Sequence, residues 1–137
     1  MRLVFNAGLA ARAAVLFAAL CLAPSLVQAG QLDGYAPVNL SNWKPRTAPS
    51  AMALVEPLYR GHPEGMEGRP ILKIELRKEG ETLVIDIEQT GFLDDSVRGE
   101  KHRAIVVQSS TGWRLQRLGK KVSCYRGGKS WRTGRCS

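Results

Sequence analysis

The residues able to do chemistry fall into a few clusters. Asp94-Asp95-Ser96 places adjacent carboxylates in a polar segment, where oxygen ligands could hold a hard cation or form an acid–base pair. The same side chains also accept bonds from nearby backbone N–H groups and so fix tight turns. A calcium loop needs more oxygen ligands at regular spacing than this segment offers. Asp94, Asp95 and Ser96 are therefore read as a structural turn, or as ion-pair partners of Arg98, Arg103 or another C-terminal cation. His62 lies near Glu64 and Glu67, but in a Gly/Pro-rich stretch without further ligand spacing, so an exposed loop histidine is expected. His102 opens a strand-like run and is expected to pack. No serine or cysteine sits in a nucleophile motif, and no phosphate-cradling glycine loop follows a strand. Neither a catalytic residue, a metal site nor a cofactor is expected.

The remaining cluster is basic. Arg126, Lys129, Arg132 and Arg135 interleave with Tyr125 and Trp131 between Cys124 and Cys136, and Lys120 and Lys121 precede them. Cations beside aromatic faces suit anionic polymers. The formal net charge is +8, and its distribution is lopsided. Residues 30–100 hold eight Lys/Arg and twelve Asp/Glu, whereas residues 101–137 hold ten Lys/Arg and no acid. Such asymmetry points to an anionic partner or to a match between the two halves of the chain.

The N-terminus sets the compartment. Arg2, an apolar run from Ala13 to Ala23, Pro24 and the small-residue pattern Val27-Gln28-Ala29 read as a secretory signal peptide over residues 1–29. Eleven apolar residues fall well short of the ~20 that cross a bilayer as a helix. The expectation is a periplasmic or secreted protein with no membrane span after cleavage. Cys21 leaves with the leader. Cys124 and Cys136 then remain in an oxidising compartment, where a disulfide is the default. The exported address disfavours nucleic acid as the anion and leaves an envelope polymer or an acidic protein.

These residues must be positioned by a single domain. Residues 30–46 are rich in Gly, Pro and Asn without periodicity and read as an irregular arm, with Tyr35, Leu40 and Trp43 available as anchors. From Thr47 to Arg60 a helix is expected, capped by Thr47 or Ser50, with Met52, Val55, Leu58 and Tyr59 on one face. Pro57 would kink it. Leu72, Ile74 and Leu76 alternate with Lys73, Glu75 and Arg77, and Leu83, Ile85 and Ile87 with Val84, Asp86 and Glu88; around Glu79-Gly80-Glu81 they predict a β-hairpin, with Lys73 and Arg77 facing Asp86 and Glu88. His102–Ser109, apolar on both faces, predicts a central strand or one whose outer face the helix or arm covers. Trp113 to Leu118 predicts a fourth strand with a bulge near Gly119. The expected fold is α+β over residues 47–137: one N-terminal helix, kinked at Pro57, packed on a four-stranded antiparallel sheet. On element order alone, the nearest architectures are cystatin-like or nuclear-transport-factor-like.

Thr90-Gly91, Asp94-Asp95-Ser96-Val97, Trp113, Gly119, Cys124, Trp131 and Cys136 follow a recurrent spacing. On these residues the chain resembles a family of small, uncharacterised secreted bacterial proteins with the pattern T-G-x-x-D-D-S-V, G-x-W, then C, W and C. His102 departs from it where an aromatic is usual, as does Arg126-Gly127-Gly128 in place of a fuller glycine-arginine run. The resemblance implies secretion, a disulfide and the α+β fold, and brings no activity. The functional expectation is an exported, non-enzymatic domain that turns a basic C-terminal surface toward an anionic partner. The rival readings are a cleft-binding or enzymatic domain using Asp94 and Asp95, and a secreted hydrolase inhibitor.

Overall fold

The computed structural model describes residues 32–61 and 70–137. The signal peptide expected over residues 1–29 and the His62–Glu64–Glu67 cluster lie outside these residues. Four long strands form an antiparallel meander: β3 (Ile71–Glu79), β4 (Thr82–Thr90), β5 (Val97–Ser109) and β6 (Gly112–Cys124). Three two-residue strands, β1 (Ala36–Pro37), β2 (Thr47–Ala48) and β7 (Trp131–Arg132), line the remaining edge of β6. Across the sheet, the order is β1-β6-β5-β4-β3, with β2 and β7 also paired to β6.

This architecture corrects the α+β expectation. The described residues are mainly antiparallel sheet, seven strands with one short helical segment, and not a helix laid on four strands. The α-helix α1 spans only Ala51–Val55 and continues as a 3-10 turn over Glu56–Leu58. Ser50 caps it, its Oγ accepting from Ala53 N at 3.3 Å. Pro57 lacks the N–H that would carry the α-helical ladder forward, so the helix tightens and stops there. Thr47 belongs to β2 and not to the helix. Without a helix long enough to cover the sheet, the cystatin-like and nuclear-transport-factor-like comparisons fall as well.

The arm contributes more pairing than its composition suggests. Ala36 and Pro37 face Lys120 and Gly119, Val38 N donates to Leu118 O, Leu115 N donates to Arg46 O, and Thr47 faces Arg114. Residues 36–48 thus run antiparallel to β6 as an interrupted edge strand. Proline is tolerated there because an edge strand leaves one row of N–H groups unused. Trp43 bulges inward and donates its indole N–H to Leu54 O at 3.1 Å.

Strand register follows from local chemistry. Gly80, at φ 61°, and Glu81 form the two-residue loop between Glu79 and Thr82, with glycine at the first turn position as a type II′ hairpin requires. In β6 the apolar phase changes between Leu115 and Leu118, and there the pairing slips: Ile105 faces Arg117 while Val106 faces Leu115, leaving Gln116 as the extra residue. The bulge lets both leucines point to one side, where they are almost fully buried with Leu54, Val55, Ile85, Ile87, Ala104 and Val106. Ile105 and Val84 are buried on the opposite face, as a central β5 requires.

His102 shares the core face with its cross-strand neighbour Ile87 and is only 6% exposed. Its Nδ1 is buried without a hydrogen-bond partner among the described residues. Burial, opposed by nearby Glu100 and reinforced by Lys120, lowers its pKa to about 4. The neutral ring is what the fold accommodates. Below pH ~6.5 the unfolded chain binds a proton at this position that the folded chain refuses, so stability falls as pH drops from about 6.5 to about 4. His102→Phe should remove up to about 3 kcal/mol of that loss, read as a flatter urea-midpoint profile across the same window.

Candidate anion-binding surface

The basic residues singled out from the sequence are divided by the sheet. On the face opposite the core, β4, β5 and β6 bring carboxylates and cations into adjacent rows. Asp86 takes Arg103 in a two-pronged contact, Nε at 2.7 Å and the second nitrogen at 3.0 Å, and Arg77 at 2.6 Å. Burial pushes the Asp86 carboxyl up, but the hydrogen bonds from Arg103 and Arg77 outweigh it and hold the group below the usual carboxylate range. Glu88 pairs with Lys101 at 2.6 Å. Lys73 lies opposite Glu88 in the register but bonds Glu75 on its own strand at 2.8 Å.

Two aromatic rings cover this charged layer. The Arg103 guanidinium lies 4.7 Å, and the Lys121 ammonium 4.5 Å, from the centre of the Tyr35 ring. Lys101 lies 4.9 Å from the Trp131 ring. Each contact contributes on the order of 0.5–1 kcal/mol at a partly exposed position. Tyr35 reaches its place because Gly119 leaves the space: a Cβ built there would stand 2.6 Å from Tyr35 Cβ. Reading the sequence missed Tyr35 as the centre of this layer. The available signal was Gly119 inside a strand, which marks a close approach by another group.

On the other face Lys120 bonds Glu100. Arg132 donates to Gly127 O at 2.7 Å and pins the loop upon itself. Thus Lys120, Lys121 and Arg132 are engaged within the chain. Arg126, Lys129 and Arg135 are exposed and make no ion pair among the described residues. All three lie on the segment closed by Cys124 and Cys136, whose sulfurs are bonded with Cα atoms 5.5 Å apart. Ser123 Oγ donates to Lys129 O at 3.2 Å, and β7 pairs Trp131 with Ser123. The loop is fixed at its base and across its middle.

Asp94 spends its carboxylate on the backbone. Oδ1 accepts from Val97 N at 2.6 Å, Ser96 N at 2.8 Å and Ser96 Oγ at 3.1 Å, and these bonds hold it below the usual carboxylate range. Asp95 is exposed and makes no ion pair among the described residues. Arg103, one of the expected partners, goes to Asp86. Beside the turn, Tyr125 N donates to Ser96 O at 2.9 Å, and Tyr125 OH donates to Phe92 O. The acidic turn is therefore stitched to the start of the basic loop. A cleft of about 430 Å³ opens between the arm, the β5–β6 surface and the end of the loop, lined in part by Val38, Val97, Glu100, Lys120, Val122 and Arg135. Asp94 and Asp95 do not line it. No group of three or more metal-binding side chains occurs among the described residues.

No family model, curated protein or solved structure matches this chain. No helix among the described residues is long and apolar enough to cross a membrane.

Replacing Cys124 and Cys136 with serine together should cost about 3 kcal/mol on the chain-entropy estimate for a loop of this size. Amide exchange should quicken most at Trp131 and Arg132, because β7 depends on that closure. Unchanged protection there would show that β6 holds β7 without the covalent link.

Proposed function

We propose that this chain is an exported, non-enzymatic binding domain whose disulfide-closed loop engages an anionic partner, an envelope polymer or an acidic protein. One observation carries the reading. Lys101, Arg103, Lys120 and Lys121 are matched inside the molecule, by Glu88, Asp86, Glu100, Tyr35 and Trp131, whereas Arg126, Lys129 and Arg135 have no such partner among the described residues and share one disulfide-closed segment. Three unpaired cations on a segment held by a covalent link keep their relative positions before any partner arrives. Less ordering entropy is then lost on binding than from a free tail. The adjoining cleft offers an apolar floor from Val97 and Val122 beside Arg135, suited to a partner that carries both anionic and aliphatic groups. Export rests on the leader pattern, and kinship with the small secreted bacterial proteins rests on the motif residues alone. Engagement of Asp94 by its own turn gives the enzymatic alternative no support.

The test is retention on immobilised heparin and on lipopolysaccharide across a salt gradient. Wild type should elute later than a variant carrying Arg126→Gln, Lys129→Gln and Arg135→Gln, and its retention should weaken with salt because exposed charges are screened. A control carrying Lys44→Gln, Lys78→Gln and Arg114→Gln removes the same charge elsewhere and should elute close to wild type. Equal loss in both variants would assign retention to net charge and overturn the role of the loop.

A further inference from the structure

The two long edges of the sheet are finished differently. The outer side of β6 is paired along its length by β1, β2 and β7. The outer side of β3 pairs with nothing among the described residues. Unpaired strand edges present N–H and C=O groups ready to accept another strand, and proteins commonly blunt them with short strands, proline, bulges or charged side chains. Of these devices β3 has only charge, and of both signs, so that a partner of matching pattern is accepted and not repelled. It runs nine residues, pairs with β4 without a register break, contains no proline and carries charges of both signs. Ile71 is 61% and Leu76 51% exposed. We infer that the outer edge of β3 is a pairing surface for a second copy of this chain, joined antiparallel about Ile74.

The register follows from hairpin geometry and charge. In a two-residue hairpin the residues flanking the loop, Glu79 and Thr82, exchange backbone bonds. Alternation then sends the N–H and C=O of Arg77, Glu75 and Lys73 toward β4 and those of Leu72, Ile74, Leu76 and Lys78 outward. A two-fold pairing of β3 with itself can therefore centre on one of the outward residues or on one of their inward-bonded neighbours. Centred on Glu75, it would oppose Glu75 with itself and Lys73 with Arg77. Centred on Lys73, it would oppose two lysines. Directly opposed like charges disfavour both. Centred on Leu76, it gives opposite charges but sets Ile74 against Lys78 on the apolar face. Centred on Ile74, it sets Leu72 against Leu76, Ile74 against itself, and Lys73 against Glu75 at both ends. That register gives an apolar row on the core face and two ion pairs on the other. It sets Ile71 beside Arg77, but Asp86 keeps both of its guanidiniums, because Lys73 and Glu75 only exchange their present partner for its copy. The paired sheet would be continuous through both molecules, with a basic loop beyond each end.

The experiment is sedimentation equilibrium of the purified protein across a concentration series, with melting curves confirming that each variant is folded. A concentration-dependent dimer is expected for wild type. Lys73→Glu opposes two acids and Glu75→Lys opposes two bases, so each alone should weaken the dimer at least tenfold. The double exchange, Lys73→Glu with Glu75→Lys, restores opposite charges and should recover association to within about threefold of wild type. Leu76→Pro removes an outward N–H without breaking a bond to β4 and should abolish the dimer. A protein that stays monomeric at every concentration would overturn the inference. So would a dimer indifferent to the single charge reversals, or a double exchange as defective as either single. Heparin retention by the loop is read separately, so failure of the β3 edge leaves the functional proposal standing.

Discussion

The backbone ladder on both sides of β6 is the constraint on which the rest of the structure depends. One side of Gly112–Cys124 carries all of β5, and the other carries the arm, β2 and β7 in succession. Each of these segments is too short or too irregular to persist alone. Isolated two-residue pairings have little stability in water, yet here each docks on a strand already held by its neighbour. The positions of Tyr35, Trp43, Trp131 and the disulfide all follow from that register. The bulge at Gln116 matters for the same reason. It returns Leu118 to the core face and thereby sets which side Gly119, Lys120 and Lys121 occupy.

That register also explains how one chain carries an acidic portion and a wholly basic C-terminal portion without being torn by its own field. β4 brings Asp86 and Glu88 beside Arg103 and Lys101, so much of the asymmetry is neutralised across adjacent strands. Exposed pairs contribute little individually. Asp86 differs, since it is largely covered and shared by two guanidiniums, one of them stacked on Tyr35. Among the described residues, Arg126, Lys129 and Arg135 make no ion pair and are gathered on the single segment closed by Cys124 and Cys136. The expectation of an internal match thus holds for Lys101, Arg103 and Lys120, and the anionic partner is the proposal made for the loop cations.

Much of the sheet was legible in the sequence, because alternation with period two is a direct imprint of a strand with one buried face. Leu72–Leu76, Leu83–Ile87 and Ala104–Val107 announce β3, β4 and β5, and the phase change after Leu115 marks the bulge. The helix was overestimated because apolar spacing at Met52, Val55 and Leu58 persists past Pro57, where the backbone cannot follow it. The arm was underestimated because edge pairing of Ala36–Pro37 and Thr47–Ala48 is driven by groups on β6, distant in sequence and without a side-chain pattern. At the candidate surface, residue types identified the cations correctly but not their allegiance. Nothing local distinguishes Lys121, held by Tyr35, from Lys129, which makes no ion pair among the described residues. Only the strand register separates them.

Anion recognition is proposed to reside in Arg126, Lys129 and Arg135, the exposed cations held together on the disulfide-closed loop. The most direct measurement is an amide chemical-shift titration of the folded protein with a short sulfated oligosaccharide. Perturbations are expected to concentrate between Cys124 and Cys136 and along the adjoining cleft at Val97 and Val122. Equal shifts at Lys44, Lys78 and Arg114, or a response centred on Asp94 and Asp95, would contradict it.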